Sequence, residues 1–259
     1  MPAEVYGIPP SFRDSGRHAV RAGATVPNMM QVLGERGSGT NVVRKLIETN
    51  TDLFRTEGLG WKHALPHMVA IPDTLLTLCV IRDARAWSLS MHDRPWHCDP
   101  ALQSLDYARF IRSPWRGIVD RTSDFEEIHP EMQVQGCELQ YDRHPLTGLP
   151  FADLFELRRV KLEGLLSMLN RGGHVALLRM ESFLADPEGS LAWLAEQFGL
   201  AAPRSPLKTV RRRLGTRHSY SVSDHPATPK TLSDSDLAFL RSRLDLELEA
   251  QLGYDYGSD

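Results

Sequence analysis

The amino-acid sequence predicts an α/β fold in which a mostly parallel sheet lies between two layers of helices. Residues 74–81, Thr-Leu-Leu-Thr-Leu-Cys-Val-Ile, form a near-continuous apolar run, which is typical of a parallel strand covered on both faces. A glycine-rich turn at residues 34–39 joins a strand-like segment to a helix-like one. Strand and helix patterns then alternate along the chain, which favours this three-layer arrangement. All 259 residues are predicted to form a single domain, because no repeat or low-complexity linker divides them.

The first part of the chain supplies the elements around the glycine-rich turn. Residues 1–24 contain proline, glycine and scattered charge, and they are expected to form an irregular N-terminal arm. Residues 26–33 are predicted to form a strand. Residues 41–50 are predicted to form a helix, because Val42, Val43, Leu46 and Ile47 recur at helical spacing. The apolar run at residues 74–81 is the next strand, and a helix from Ala84 to about residue 91 follows it.

The second part begins with residues 94–150, which are rich in Pro, Trp, His and Arg and are predicted to be an insertion that builds a substrate pocket. Candidate helices within it are residues 101–111 and 115–128. An amphipathic helix at 154–169, a strand at 174–178 and a helix at 186–198 come next, with Pro187 and Gly199 at favoured ends of that helix. Ser233 is expected to cap a last helix at residues 236–252.

The composition narrows the class of protein. The net charge of −3 argues against a dedicated nucleic-acid binder. Cys79, Cys98 and Cys137 have no CxxC spacing and favour a reducing cytoplasm. The longest apolar stretch, residues 75–81, is too short to cross a bilayer, and the spacing of the ten histidines does not match a zinc motif, so no metal site is predicted. A cytoplasmic protein without a transmembrane segment is therefore expected.

The glycine-rich turn carries the first chemical signal. Residues 34–41 read Gly-Glu-Arg-Gly-Ser-Gly-Thr-Asn and lead from a predicted strand into a predicted helix. Backbone N–H groups at such a helix start hold phosphate oxygens. Gly37 and Gly39 permit close approach, while Ser38 and Thr40 add hydroxyl donors. A tight turn without a ligand is the alternative, and the polar residues between the glycines favour anion binding.

The same turn differs from the phosphate loop of nucleotide triphosphatases. It has the Gly-x4-Gly skeleton, but Thr40 and Asn41 stand where that loop has Lys and Ser/Thr. The lysine for the β- and γ-phosphates and the hydroxyl that usually holds Mg²⁺ are both absent from this motif. The substitution disfavours metal–ATP chemistry and is consistent with a phosphosulfate ligand.

Two segments resemble the nucleotide-binding motifs of the sulfotransferase superfamily that uses 3′-phosphoadenosine 5′-phosphosulfate (PAPS). Residues 36–41, Arg-Gly-Ser-Gly-Thr-Asn, resemble its 5′-phosphosulfate loop, typically Lys/Arg-Ser-Gly-Thr-Thr/Asn, with Gly37 as an extra residue. Residues 80–90, Val-Ile-Arg-Asp-Ala-Arg-Ala-Trp-Ser-Leu-Ser, resemble its 3′-phosphate motif. The resemblance implies two sets of PAPS-binding residues. They are Arg36, Gly37, Ser38, Gly39, Thr40 and Asn41 for the 5′ end, and Arg82 with Ser90 for the 3′-phosphate.

A third segment, residues 211–215, Arg-Arg-Arg-Leu-Gly, loosely resembles the Arg-Lys-Gly segment with which many members of the superfamily close over the same phosphate. The resemblance implies that Arg212, Arg213 and Gly215 bind the nucleotide. A solvated basic loop is the alternative for this segment, and the sequence does not decide between the two.

The reacting centre is expected at residues 60–66, Gly-Trp-Lys-His-Ala-Leu-Pro, which resemble the Lys-Thr-His-Leu-Pro segment of the superfamily. The resemblance implies that His63 is the general base, a role that suits an imidazole near neutral pH. Lys62 is then expected to stabilise the sulfuryl or bridging oxygens. Neighbours on an extended segment point to opposite faces, so both residues reach one centre only if the segment bends. The alternative is that either side chain simply lies at the surface.

The resemblance implies a fold like that of P-loop kinases and transfer of a sulfuryl group from PAPS, without a metal, to an acceptor hydroxyl or amine. Small-molecule, glycan and peptide acceptors all stay open, and nucleic acid is not expected. One alternative is an ATP-dependent small-molecule kinase with Asp83 as a magnesium ligand. The other is a nucleotide-binding protein that has lost its catalytic base.

Overall fold

One five-stranded sheet organises the protein in a computed structural model that describes residues 3–125, 127–210 and 218–257. Its strands are β1 (Arg17–Val20), β2 (Met29–Leu33), β3 (Phe54–Arg55), β4 (Leu75–Ile81) and β5 (His174–Arg179). The α-helices of the described residues are α1 (Phe12–Ser15), α2 (Thr40–Asn50), α3 (Ala84–Asp93), α4 (Pro100–Gln103), α5 (Tyr107–Arg112), α6 (Leu154–Leu166), α7 (Met180–Ala185), α8 (Pro187–Phe198), α9 (Asp234–Arg243) and α10 (Leu246–Gln251).

The sheet is mixed, with strand order β1-β5-β4-β2-β3. Strands β2, β3, β4 and β5 pair in parallel, and β1 pairs antiparallel with β5. The prediction of an irregular arm at residues 1–24 was therefore wrong at β1, and also at the short helix α1. All four residues of β1 are half-buried, so its side chains lack the alternation that marks a strand in sequence. Backbone pairing with β5 decides its structure.

Helices cover both faces of the sheet, as the alternation of elements predicts. On β4, Leu75, Cys79 and Ile81 pack in the apolar cluster that includes residues of α3 and α6, whereas Leu76 and Leu78 pack with residues of α2 and α8. Successive side chains of a strand point to opposite faces, so these two clusters lie on opposite sides. All seven residues of β4 are buried for this reason.

The predicted helices after β2, β4 and β5 are present, and so is the amphipathic helix α6. Asp186 caps α8 by accepting from the amide of Gly189, and Gly199 ends α8 with a φ of 70°. The helix expected at residues 115–128 was wrong, because the described residues of that segment form only a 3₁₀ turn, Thr122–Phe125. The last predicted helix is divided into α9 and α10, because Asp245 begins a new helix and caps it.

Two further expectations concern the cysteines and the membrane. Cys79 and Cys98 are buried, whereas Cys137 is exposed. Burial raises the pKa of the Cys79 thiol, so this side chain stays protonated and packs as a small hydrophobic residue. None of the helices in the described ranges has the length and apolar character needed to cross a membrane.

Candidate active site

The predicted site residues converge on one cavity of about 1190 Å³ at the edge where β2 and β4 end. This edge of an open α/β sheet is where ligands of such folds bind. Nine of the ten predicted residues that the structure describes line the cavity: Arg36, Gly37, Gly39, Thr40, Asn41, Lys62, His63, Arg82 and Ser90. The tenth, Ser38, is buried. The predicted Arg212, Arg213 and Gly215 lie outside the described residues.

The carbonyl groups of residues 34–37 are all engaged by hydrogen-bond donors of the protein. In chain order, the donors are His63 Nδ1 at 2.6 Å, Ser38 Oγ at 2.6 Å, Trp87 Nε1 at 2.7 Å and Arg82 Nη1 at 2.6 Å. A peptide carbonyl and the following N–H point in opposite directions, because the peptide unit is planar and trans. Fixing these carbonyls therefore also fixes the directions of the amides in the loop.

The amides of Gly37, Gly39, Thr40 and Asn41 have no hydrogen-bond acceptor among the described residues. The amides of residues 39–41 stand at the start of α2, where a helix has no internal partner for its first N–H groups. Buried backbone donors in proteins are nearly always paired. A loop with four such amides at the wall of a cavity is suited to bind an anion.

Two glycines allow the loop to lie against the sheet. A Cβ atom on Gly34 would lie 2.6 Å from the carbonyl oxygen of Val80 in β4. Gly39 has a φ of 87°, and a Cβ atom there would collide with Met180 Sδ. Only glycine fits both positions without displacing neighbouring atoms. The loop is thus packed between the ends of β4 and β5.

Arg82 and Ser90 meet beside Gly37. Arg82 follows the last residue of β4 and donates to the carbonyl of Gly37 at 2.6 Å. Ser90 Oγ lies 3.5 Å from the position that a Cβ atom on Gly37 would occupy. Asp83 caps α3 by accepting from the amides of Arg85 and Ala86, and α3 then carries Ser90 back toward the loop. The structure brings the two predicted phosphate motifs together at Gly37.

Lys62 and His63 are the central residues of a turn that is closed by a 2.9 Å hydrogen bond from the amide of Ala64 to the carbonyl of Trp61. The segment is therefore not extended, and both side chains border the cavity. Lys62 Nζ donates to Asn41 Oδ1 at 2.7 Å. Burial, together with nearby Arg44, lowers the pKa of Lys62 to about 8.

The hydrogen bond of His63 defines its tautomer. Its Nδ1 lies 2.6 Å from the carbonyl oxygen of Gly34, which can only accept, so Nδ1 carries the proton. Nε2 then holds a lone pair and makes no hydrogen bond to any described residue. Burial lowers the pKa of His63 well below its ordinary value, and the positive charges of Lys62, Arg36 and Lys161 lower it further. The imidazole is neutral at physiological pH and has Nε2 available as a base.

Arg36 borders the cavity, but its guanidinium is held by a residue that sequence reasoning missed. Arg36 Nη2 forms a 2.5 Å ion pair with Asp142 Oδ2, and both side chains are buried. The guanidinium carbon lies 5.6 Å from the ring centroid of Trp61 and 5.3 Å from that of Trp115. Arg36 is therefore directed toward the insertion at residues 94–150.

Lys161 of α6 is the second missed residue. Its Nζ donates to Asp142 Oδ1 at 2.5 Å and to the carbonyl oxygen of His63 at 2.9 Å. Burial would raise the pKa of Asp142, but Arg36 and Lys161 hold it well below its usual range. We call Arg36, Asp142 and Lys161 the Asp142 cluster. The available sequence signal for Lys161 was its helical spacing with the buried leucines of α6.

A second buried group of charges lies behind the loop. Arg158 of α6 pairs with Glu35 Oε2 at 3.2 Å and with Glu249 Oε1 at 3.0 Å. It also donates to the carbonyl of Arg82 at 2.9 Å. Burial raises the pKa of Glu35 to about 7, although Arg158 opposes that change. Arg158 thus joins the loop, the end of β4 and the C-terminal helix α10.

The predicted insertion, residues 94–150, supplies another wall of the cavity, which includes Trp96, His97, Arg121 and Asp124. The His97 ring lies between two carboxylates, with Nδ1 2.9 Å from Asp120 Oδ1 and Nε2 3.1 Å from Asp124 Oδ2. Burial lowers the pKa of His97, but the two carboxylates raise it by more. Trp115 and Tyr107, two other aromatic residues of this segment, are buried in the core instead.

The cavity is basic although the whole chain has a net charge of −3. Seven Arg and Lys side chains and three carboxylates are found among its described lining residues. Within the described ranges, no group of three or more His, Cys, Asp and Glu residues is placed to hold a metal ion. An excess of positive charge around a cleft attracts anionic ligands.

Comparison of the chain with models of protein families, with curated proteins and with solved structures gave no match. The residues of the cavity are therefore the basis for assigning a function.

Proposed function

We propose that this protein is a PAPS-dependent sulfotransferase. The observation that carries the proposal is the loop at residues 34–41, whose amides at positions 37 and 39–41 have no acceptor among the described residues and whose sequence lacks the lysine of a triphosphatase loop. The pairs Lys62–His63 and Arg82–Ser90 border the same cavity. This combination supports binding of an anion at the loop beside a neutral imidazole.

The nucleotide-binding part of the proposal assigns the 5′-phosphosulfate to the loop amides and to the hydroxyl of Thr40. Arg82 and Ser90 are the candidates for the 3′-phosphate, because they lie together beside Gly37. A guanidinium presents a planar fork of donors that suits phosphate oxygens. The surplus of basic side chains in the cavity favours a ligand with several negative charges.

The catalytic part assigns the base to His63 and charge stabilisation to Lys62. His63 Nε2 takes the proton of the acceptor hydroxyl or amine, while Nδ1 stays bonded to Gly34. Lys62 Nζ, protonated below its pKa of about 8, stabilises the negative charge that develops on the leaving phosphate oxygen. Bound PAPS supplies the activated sulfuryl group: the acceptor atom bonds to sulfur, the bond from sulfur to the bridging oxygen breaks, and adenosine 3′,5′-bisphosphate leaves.

The kinase alternative is less well supported by the same residues. Asp83, its candidate magnesium ligand, accepts from the amides of Arg85 and Ala86 and pairs with the Arg85 side chain at 2.7 Å. It is also not among the described lining residues of the cavity. Asn41, at the position of the magnesium-binding hydroxyl, uses its side-chain oxygen to accept from Lys62.

The acceptor is proposed to enter along the insertion, because Trp96, His97 and Arg121 border the cavity there. Asp124 is held by His97 and Arg121, and these contacts lower its pKa to about 2 against the effect of burial. A permanently charged carboxylate beside aromatic rings suits an acceptor with hydroxyl or amino groups. Small molecules, glycans and peptides all have such groups.

The test of this proposal is a thermal-shift measurement with adenosine 3′,5′-bisphosphate and, separately, with ATP–Mg²⁺. A ligand that binds the native state raises the melting temperature, and we expect stabilisation by the bisphosphate. Stabilisation by ATP–Mg²⁺ alone would favour the kinase. The His63→Ala variant should keep bisphosphate binding and lose sulfuryl transfer. Full turnover in that variant would remove His63 from the mechanism, and binding without any turnover in the wild type would favour a nucleotide-binding protein.

A further inference from the structure

His63 is held at two points by groups from different parts of the fold. Its ring is fixed by the 2.6 Å hydrogen bond from Nδ1 to the carbonyl of Gly34. Its own carbonyl oxygen accepts a 2.9 Å hydrogen bond from Lys161 Nζ. Lys161 is buried and is not among the described residues that line the cavity. It therefore contacts the backbone of His63 from behind the site.

Within the Asp142 cluster, the Asp142 carboxylate fixes the position of Lys161. Asp142 accepts from Lys161 Nζ and from Arg36 Nη2, each at 2.5 Å, and from Trp115 Nε1 at 2.8 Å. Charge-assisted hydrogen bonds of this kind are the strong ones in proteins. Lys161 Nζ also lies 5.7 Å from the ring centroid of Trp61, which packs edge-on against the His63 ring. The ammonium group thus has a single well-defined position next to His63.

We propose that Lys161, held by Asp142, is a positioning residue for His63. It fixes the turn that carries the imidazole and places a positive charge beside it; burial lowers the pKa of Lys161, and the hydrogen-bonded Asp142 carboxylate opposes that change. The inference rests on the proposed role of His63 as the base. The ammonium group does two things for that role: it keeps the ring on Gly34, so that Nε2 keeps its lone pair, and it opposes protonation of the ring before the acceptor is bound.

A merely structural role for Lys161 would be neutralisation of Asp142, and Arg36 alone already supplies one positive charge for that carboxylate. The second contact of Lys161, to the His63 carbonyl, is not needed for this purpose. The charged groups that face His63 are Lys62 from its own turn, Arg36 from the loop and Lys161 from α6, and all three oppose protonation of the imidazole. Lys161 is not itself among the described residues that line the cavity, so its replacement removes no lining side chain.

The experiment follows the His63 ring by NMR titration in the full chain. The imidazole signal is assigned from its absence in the His63→Gln variant, and the ring nitrogen shifts report the tautomer. Three variants of Lys161 separate charge from hydrogen bonding: Lys161→Met removes both, Lys161→Gln keeps a donor without charge, and Lys161→Arg keeps both. Arg159→Met, on the same helix but paired with Glu163 at the surface, is the matched control.

The charge of Lys161 is expected to be visible in the titration midpoint. Lys161→Met and Lys161→Gln should each raise the His63 midpoint by about one pH unit, because a like charge nearby disfavours the charged form. Lys161→Arg and Arg159→Met should leave it at the wild-type value. The effect of Lys161 on the position of the His63 ring is expected to appear in the tautomer. The ring proton should be divided between Nδ1 and Nε2 in Lys161→Met and should stay on Nδ1 in Lys161→Gln.

The outcomes separate this inference from the proposed function. An unchanged His63 midpoint in both neutral variants, or a raised midpoint in Lys161→Arg, would overturn the positioning role. If circular dichroism shows that Lys161→Met does not fold, the comparison of Lys161→Gln with Lys161→Arg still decides it. Failure of the wild-type protein to bind adenosine 3′,5′-bisphosphate, with the titration results as expected, would reject the sulfotransferase proposal and leave the link between Lys161 and His63 intact.

Discussion

Replacement of Asp142 by Asn tests the buried charges that connect the loop, α6 and the insertion. The Asp142 carboxylate accepts from Arg36, Lys161 and Trp115 and is almost fully buried. Asparagine has the same shape but no charge. The Asp142→Asn variant therefore leaves two buried cations close together without their anion, and we expect a large loss of stability.

The size of the loss follows from the geometry of the cluster. Removal of one partner from a buried ion pair costs about 3 to 5 kcal/mol, because the remaining charge is uncompensated. Unfolding entropies of about 2.1 cal/mol/K per residue give roughly 0.5 kcal/mol/K for a chain of 259 residues. The melting temperature of Asp142→Asn should therefore fall by about 6 to 9 °C. Urea unfolding near neutral pH gives the free-energy difference directly.

The pH dependence of this difference provides an independent check. The pKa of Asp142 is lower in the folded protein than in the unfolded chain, so its contribution to stability is present above the unfolded pKa. That contribution is lost as the pH falls below about 4, toward the folded pKa. The free-energy difference between wild type and Asp142→Asn should shrink over this range.

The control is Asp52→Asn, because Asp52 is 82% exposed and pairs with Arg204 at 3.8 Å. An exposed pair contributes about 0 to 1 kcal/mol. A loss below about 1 kcal/mol for Asp142→Asn, similar to that of the control, would refute the reasoning from burial. A free-energy difference between wild type and Asp142→Asn that stays constant in acid would also refute it.

Three further predictions concern the loop and the reacting centre. Gly34→Ala places a Cβ atom 2.6 Å from the Val80 carbonyl oxygen, so this variant should lose about 1 to 3 kcal/mol of stability in urea unfolding and bind adenosine 3′,5′-bisphosphate more weakly. The control is Gly58→Ala, at an exposed position, and equal behaviour of the two variants would contradict the prediction. The bisphosphate should raise the His63 titration midpoint in NMR, because its negative charges offset the nearby cations; an unchanged midpoint speaks against binding at the loop. Lys62→Met should weaken bisphosphate binding, measured by calorimetry near neutral pH, and should weaken it much less at a pH above the Lys62 pKa of about 8. An equal loss of affinity at both pH values would exclude the charge of Lys62 as the cause.

The central strands were predictable because burial on both faces leaves a strong mark on sequence. Strand β4 is apolar at every position except Thr77, since helices cover it on either side. The turn after β2 was recognisable from its glycines, and two of these are required by contacts with Val80 and Met180. The predicted ends of β2 and β4 and the glycine-rich turn point to the same edge of the sheet, so the sequence also indicates which residues lie together there.

The Asp142 cluster was not predictable, because its members come from distant parts of the chain. Asp142 lies 106 residues after Arg36 and 19 residues before Lys161, and no local pattern marks such a partner. Arg158 and Lys161 stand in an Arg-Arg-Val-Lys run, which usually indicates a solvated helix face. Three-residue spacing turns both toward the core instead, while Arg159 points outward.

The antiparallel strand β1 escaped prediction for a different reason. An edge strand with one neighbour is stabilised mainly by its backbone, and the pairing of Arg17 with Leu178 through Val20 with Val175 needs no apolar alternation. The split between α9 and α10 likewise depends on the local cap made by Asp245. Such features are decided by tertiary pairing and by single side chains.

The placement of the loop between the ends of β4 and β5 has a consequence for how the protein folds. Gly34 packs against Val80 and Gly39 against Met180; these partners are far apart in sequence and meet only when three parallel strands have aligned. Parallel pairs need long crossover connections, and contacts of large sequence separation form slowly. The loop at residues 34–41, the proposed anion site, should therefore reach its native position late in refolding, after most of the helical circular-dichroism signal has returned. Recovery of the proposed nucleotide binding would then be a kinetic marker for completion of the sheet.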